Sequence, residues 1–295
     1  MIVSASYKTD IPAFYGPWFA NRLRAGYCRV LNPYGGKPFR VSLMPGDVEA
    51  FVFWTRNIGP FLTHLPEVRR RGLPFVVQYT INAYPRALES SVIDATRSVE
   101  HVKALHDEYG PRVAVWRYDT IVLSSITPPD FHVRNFERIA RSLEGYTDEV
   151  VVSFAQIYRK TKQNMDRAAL AAGFTWSDPP AEDKHALLST LACCARSFGI
   201  ALSVCGQREF LSGEISDARC IDPVRLSDVA GRAVHAPARA HRSGCGCCQS
   251  RDIGEYDTCP HGCVYCYAVR SRSTARERYR AHDPEGEFLF AKPSV

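Results

Sequence analysis

Cys259, Cys263 and Cys266 fall within eight residues, in "CPHGCVYCYA", and three thiols at these spacings can converge on one small body. Pro260 and Gly262 favour a loop over a helix there, and a loop can turn its three sulfurs inward. Three thiolates on a 4Fe-4S cluster leave one iron without a protein ligand, free to hold a small molecule, whereas a fourth thiolate would close the cluster. The spacing also suits a structural zinc site, with His261 as a fourth ligand, though so near a neighbour is poorly placed for tetrahedral geometry.

A second set can be assembled from Cys205 in "IALSVCG", Cys220 in "ARCID", and Cys245 and Cys247 in "CGCC". Four thiolates fit a closed auxiliary 4Fe-4S cluster or, equally, a structural zinc, and Cys248 competes for a ligand position. The alternative is a group of buried or spare thiols. Eight of the eleven cysteines lie after residue 200 of this 295-residue chain, which opens without a charged and then apolar leader. Such clustering reads as ligation rather than disulfide bonding. Cys28, Cys193 and Cys194 have apolar surroundings and read as core.

Other residues could serve a reaction. Arg117 and Asp119 could grip a carboxylate and orient a proton carrier, or form a structural ion pair. Arg159, Lys160 and Lys162 in "YRKTKQNM" oppose the dipole of a helix that would start there, so they invite an anion. "VRSRSTARERYRAHD" carries five arginines, which read as a solvated helix face or a nucleic-acid contact. Phe53, Trp54, Tyr79, Trp116, Tyr118 and Tyr158 fall at strand ends, where they could stack on a ring or simply pack.

Six apolar runs of strand length position these residues: "IVSAS", "EAFVFWTRN", "PFVVQYTIN", "VAVWRYDTI", "EVVVSFAQI" and "IALSVCG". Their Val, Ile and Phe content suits strands buried on both faces of a parallel sheet. Helix-like segments lie between them, four ending in Gly or Gly-Tyr. Alternation of this kind predicts an α/β fold, a (β/α) barrel or partial barrel, with a doubly wound sheet as the alternative. Strand ends would then converge on one mouth, bringing together Ser4, Ser6, Thr55, Thr80, Gln78, Arg117, Asp119, Ser153, Gln156 and Cys205. Residues 1–210 would form the barrel body. Residues 211–295 would form a Cys-rich segment completing it, after a linker in "RAVHAPARAHRSG".

No apolar run reaches the roughly eighteen residues that cross a bilayer, so no membrane role and a cytoplasmic location are expected. The net charge of +6 is mild for this length and falls short of a DNA-coating protein.

The cysteine spacing, with Tyr265 just before the last thiol, resembles the signature of radical S-adenosylmethionine enzymes, and "YCYA" is most similar to the spore photoproduct lyase branch. The chain as a whole resembles the bacterial family called domain of unknown function 1848, through "SASYKTDIPAFYGPWF", "VFWTRN", "VWRYDTI", "SFAQIYRKTKQNM", "ARCID" and "CGCCQSRDIGEYDTCPHGCVYCYA". These resemblances imply a 4Fe-4S cluster on Cys259, Cys263 and Cys266, S-adenosyl-L-methionine on the open iron, and a 5′-deoxyadenosyl radical that abstracts hydrogen from a substrate. They also imply a flavodoxin- or ferredoxin-type electron donor and a small or nucleotide-like substrate. Tyr265, Ser4, Ser6, Thr55, Thr80 and Gln156 would contact the cofactor, with Arg117 and Asp119 as catalytic residues.

A cluster placed last in the chain implies a circular permutation, in which "RDIGEYDTC" acts as the first barrel strand and "IVSAS" as the second. Two departures stand out. Ser6-Tyr7-Lys8-Thr9-Asp10 replaces the family's usual "SRRTD", leaving only Lys8 charged, and lysine cannot reproduce an arginine fork. No Gly-Gly-Glu type motif follows the relevant strand, and Gly35-Gly36-Lys37 lies far from it. Two other readings stay open: a cluster protein for electron transfer or redox sensing without S-adenosylmethionine, and a zinc-stapled protein that binds nucleic acid.

Overall fold

The computed structural model describes residues 1–32, 35, 37–240 and 244–290, so Gly36 and linker residues 241–243 lie outside the described residues. Among the described residues the strands are β1 (Ile2–Ala5), β2 (Tyr27–Val30), β3 (Phe39–Ser42), β4 (Ala50–Thr55), β5 (Phe75–Thr80), β6 (Ala114–Ile121), β7 (Leu123–Ser124), β8 (Glu149–Phe154), β9 (Trp176–Ser177), β10 (Ala201–Val204), β11 (Ser216–Asp217) and β12 (Ser250–Asp252). The helices are α1 (Ile11–Phe14), α2 (Gly16–Ala25), α3 (Leu65–Arg70), α4 (Ala95–Tyr109), α5 (Pro129–Leu143), α6 (Arg159–Ala172), α7 (Ala181–Ser197), α8 (Pro223–Ala230) and α9 (Arg272–Arg280).

Eight strands form one sheet in the order β11-β10-β8-β6-β5-β4-β1-β12, and every pairing in it is parallel. From β1 to β11 the chain steps always to the same side. The last strand, β12, then joins the free edge of β1, pairing Ile2 with Ser250 and Ser4 with Asp252. The C-terminal segment is thus the spatial neighbour of the N-terminal strand, as a permuted order requires. Barrel closure is a different matter: among the described residues no pairing joins β11 to β12. These edge strands are only two and three residues long, too short to build a closing ladder.

Side chains alternate between the two faces of each strand. Phe53, Val77, Tyr79, Trp116, Tyr118 and Val152 pack into the layer that holds Val102, Phe136 and Leu191 of α4, α5 and α7. The out-of-phase residues Val52, Trp54, Val76, Val115 and Val151 face the other way, toward Leu226 of α8 and Cys205, Cys220 and Cys247. This second side is the inner face. It is covered by chain segments that follow β10 rather than by a second helix layer.

Cys28 is buried, as expected, but Cys193 is exposed and Cys194 half-buried. Helix α7 turns Leu187, Leu188, Leu191, Ala192 and Ala195 inward, and Cys193 falls off that stripe.

The helix layer buries a histidine. Nδ1 of fully buried His132 meets the Tyr118 hydroxyl at 2.9 Å and Nε2 meets the Val122 carbonyl at 3.0 Å, the pattern of a neutral ring that accepts from tyrosine and donates to the carbonyl. Burial pulls its pKa down to about 4. Unfolded His132 therefore takes up a proton near its ordinary value of about 6.5 while the native ring does not, and stability falls as pH drops from there toward 4. The expected loss is about 3 kcal/mol. Urea midpoints at pH 7.5 and pH 4.5 should differ accordingly in the wild type and much less in His132→Gln.

Candidate functional site

The cysteine loop leaves the end of β12 and is held at its base by Asp252. That carboxylate accepts from Ser4 Oγ at 2.8 Å, Ser6 Oγ at 2.7 Å, and the backbone N–H groups of Tyr7 and Gly254 at 3.0 Å. Lys8 Nζ stands 3.5 Å from it. Ser4, Ser6 and Lys8 are therefore engaged in joining the two chain ends. Further on, Asp257 N–H donates to the Ala268 carbonyl at 3.0 Å and Tyr15 OH to the Thr258 carbonyl at 2.6 Å.

The far side of the loop rests on the segment after β5. Ser91 N–H donates to the His261 carbonyl and Val264 N–H to the Leu88 carbonyl, while Glu89 and Cys263 form an antiparallel bridge. Gly262 has φ +74°, and a Cβ there would collide with Ser90 Oγ. Only glycine suits both demands.

Within this frame Cys259, Cys263 and Cys266 come close enough for the charge of each to bear on another, Cys259 sensing both of its partners. Each thiol keeps some exposed surface, yet burial pushes all three up, Cys263 to about 12. Two cations oppose this, Arg56 toward Cys263 and Lys160 toward Cys266. Ala268 N–H donates to Cys266 Sγ at 3.4 Å. Thiols near one another on one loop, flanked by cations and a backbone N–H, are a donor set suited to thiolate-ligated iron.

Behind the loop lies a buried ionic cluster that sequence reasoning missed. Arg56 Nη1 donates to Glu89 Oε1 at 2.6 Å and Nη2 to Tyr265 OH at 2.7 Å, while Asn82 Nδ2 donates to the same Glu89 oxygen at 3.1 Å and to Tyr265 OH at 3.0 Å. Tyr265 OH itself donates to Glu89. The tyrosine is thus an anchor of the loop. His261, also buried, bonds Asp10 at 2.8 Å through Nε2, and its Nδ1 has no hydrogen-bond partner.

Around the mouth, strand phase sorts the expected residues. Arg117 and Asp119 share the inner phase; their side chains pair at 2.5 Å, and the Arg117 guanidinium lies 5.0 Å over the Trp54 ring. Arg117 Nη1 also donates to Gln78 Oε1 at 3.1 Å and to Cys220 Sγ at 3.0 Å. Ser153 donates to Asp119. Thr80 ends β5 half-buried. Thr55, one residue out of phase with Trp54, is buried and accepts from Asn57 N–H at 2.9 Å; Gln156 Oε1 accepts from Tyr158 OH. Phe53, Tyr79, Trp116 and Tyr118 are core, whereas Tyr158 is exposed.

Lys160 lies 5.9 Å over the Tyr256 ring and Lys8 5.5 Å over the same ring; Lys162 pairs instead with Asp166 along α6. In α9, Arg278 donates to the Tyr256 carbonyl at the base of the cysteine loop, and Arg272 to Ser91 in the segment on which the loop rests.

The second cysteine set also comes together. Cys205 Sγ and Cys220 Sγ are 3.6 Å apart, and Cys247 lies near enough for its charge to bear on Cys220, as Cys245 does on Cys247. Cys248 feels Arg219 and Asp222 instead. Among the described residues no three His, Cys, Asp or Glu side chains are already gathered about one metal-ion position. No helix among them is long and apolar enough to cross a membrane. A cavity of about 370 Å³ lies at the opposite end of the sheet, beside Met1, Arg40 and Arg251.

Fold and site together define an α/β protein with a one-way parallel sheet and a C-terminal cysteine loop packed beside its N-terminal strand. The chain belongs to the family described as Domain of unknown function (DUF1848), which it matches over residues 2–268. No curated protein matches it. Among solved structures, a crystal structure of D-hydantoinase is similar at 12% identity and a TM-score of 0.28. That match covers 65% of this chain, which spans 36% of the D-hydantoinase chain.

Proposed function

We propose that this protein is an iron-sulfur enzyme of the radical S-adenosylmethionine type, with Cys259, Cys263 and Cys266 as ligands of a 4Fe-4S cluster. The observation that carries the reading is the placement of these three thiols on one loop at the end of β12, near enough for their charges to interact, with the other cysteines placed elsewhere: Cys28 in β2, Cys193 and Cys194 on α7, and the remaining five about the inner face. The bound cluster and S-adenosyl-L-methionine would supply reductive cleavage of a sulfonium and a carbon radical able to abstract hydrogen. The one-way strand order supports a partial barrel, open between β11 and β12.

In this reading the chain's own residues hold and aim. Asp252 fixes the loop to β1, and the Arg56–Glu89–Tyr265 cluster stiffens its outer half. Trp54 and Tyr7, with ring centroids 6.4 Å apart, and Tyr256 with Lys160 suit a small substrate that has a flat ring and an anionic group, such as a nucleotide. Arg117 and Asp119 would orient it. A flavodoxin- or ferredoxin-type partner would deliver the electron.

The test is electron paramagnetic resonance on anaerobically reconstituted, dithionite-reduced protein with and without S-adenosylmethionine. The wild type is expected to give a reduced-cluster signal that S-adenosylmethionine perturbs, and Cys263→Ala to lose it. A signal indifferent to S-adenosylmethionine would leave an electron-transfer protein. Zinc in place of iron at this loop would end the enzyme reading.

A further inference from the structure

Four thiols from three separate segments meet on the inner face, where a protein with no use for them would place apolar side chains. Cys205 follows β10, Cys220 lies between β11 and α8, and Cys245 and Cys247 precede β12. Cys205, Cys220 and Cys247 are buried among Val52, Val76, Val115 and Leu226. We propose that Cys205, Cys220, Cys245 and Cys247 form a closed tetrahedral site for one thiophilic divalent ion of the zinc type, independent of the cysteine loop.

Spacing favours a single ion. Zinc–sulfur bonds of about 2.3 Å set the edge of a ligand tetrahedron at about 3.8 Å, and Cys205 Sγ stands 3.6 Å from Cys220 Sγ. Cys205 and Cys220 share an S–H···S contact, and Cys247 lies near enough for its charge to bear on Cys220, as Cys245 does on Cys247. Binding draws the four into one tetrahedron, replaces that contact with four metal–sulfur bonds and releases the thiol protons to water. The segment best able to adjust is that of Cys245, which is half-buried and sits between Gly244 and Gly246.

The surroundings suit a centre carrying four negative sulfurs. Arg117, buried, donates to Cys220 Sγ at 3.0 Å and offsets part of the charge. Hydrogen bonds to the backbone hold the ligand segments: Cys248 N–H donates to the Ile221 carbonyl at 3.1 Å, Arg239 N–H to the Cys247 carbonyl at 3.1 Å, and the Gln78 side-chain Nε2 to the Cys220 carbonyl at 3.1 Å. The ion would fasten the segment that covers the inner face, and through Cys220 it would fix Arg117, a positioning residue, toward Asp119 and Trp54.

The experiment uses the full chain carrying Cys259→Ser, Cys263→Ser and Cys266→Ser, which removes the first site and separates the two readings. Elemental analysis is expected to find about one equivalent of zinc per chain, lost on adding Cys247→Ser and kept on adding Cys248→Ser. Because Cys247→Ser sits in a buried segment, Cys245→Ser is the second variant: it should fold by circular dichroism yet lose the thiolate-to-metal absorption on cobalt(II) titration. Arg117→Lys should weaken cobalt(II) binding about 10- to 100-fold. A metal-free triple variant with four freely reactive thiols overturns the proposal, as does iron with sulfide in place of zinc.

Discussion

Glu89→Ala is expected to destabilise the protein by about 3–5 kcal/mol, among the largest effects any single surface-distant carboxylate here should show. Glu89 is 2% exposed and accepts from Arg56, Asn82 and Tyr265 through one oxygen. Removing it leaves the Arg56 guanidinium, whose side chain is only 12% exposed, without its carboxylate partner. An uncompensated buried charge costs far more than the pair contributes when intact.

The cause can be separated from simple loss of volume. Glu89→Gln keeps an oxygen acceptor and the shape but removes the charge, so it should cost roughly half as much as the alanine variant, by the difference between losing a charged partner and losing a whole hydrogen-bond set. The double variant Arg56→Met/Glu89→Met should recover most of the loss, because neither charge is left alone. Urea midpoints of the wild type, Arg56→Met, Glu89→Met and the double variant form the cycle. Additive losses in the double variant would rule out the ion-pair account. Because Glu89 bridges Cys263 through the backbone, amide exchange of residues 261–266 should rise in Glu89→Ala.

This cluster marks the limit of what the sequence discloses. Strands β1, β4, β5, β6, β8 and β10 are legible because a strand buried on both faces must be apolar throughout. The edge strand β11 carries Ser and Asp over two residues, too few to show a period, and the β2–β3 hairpin interrupts an otherwise regular alternation. The alternation predicts a barrel or partial barrel without deciding closure, and no pairing closes the sheet between the described edges, where the inner face is occupied by α8 and the cysteine segments.

The same contrast holds for side chains. Cys259, Cys263 and Cys266 announce themselves by spacing, and the other thiols by their crowding after residue 200. That Cys247 rather than Cys248 faces Cys220 is a matter of loop direction, which no spacing encodes. Glu89, Asn82, Arg56 and His132 look like ordinary loop or helix residues in the chain. Their burial arises from contacts across the fold, such as Glu89 to Tyr265, 176 residues apart. Ser4 and Ser6 were legible as polar strand ends, but their partner Asp252 lies 248 and 246 residues away.

Asp252→Ala should therefore do more than weaken the fold; it should release the cysteine loop. One carboxylate binds both chain ends, taking two hydroxyls and two backbone N–H groups beside the buried Lys8 ammonium. The strand it serves, β12, is three residues long and, among the described residues, pairs with β1 alone. So short a ladder has little to hold it once its anchor is lost. Leaving Lys8 uncompensated costs about 3–5 kcal/mol, and each orphaned donor adds about 1–3 kcal/mol unless water reaches it.

Water can reach this edge if the strand undocks, so the cheaper outcome is local opening rather than global unfolding. The expected signature is fast amide exchange at Ile253, whose N–H donates to the Ser4 carbonyl at 3.0 Å, and at Gly254, with protection in β5 and β6 unchanged. Reconstituted iron should fall sharply although Cys259, Cys263 and Cys266 are all intact. Ser4→Ala and Ser6→Ala, which remove one donor each, should cost about 1 kcal/mol apiece and keep the iron. Slow exchange at Ile253 together with full iron in Asp252→Ala would mean that the loop is held from the Glu89 side alone, and that the contact between the two chain ends is incidental to the site.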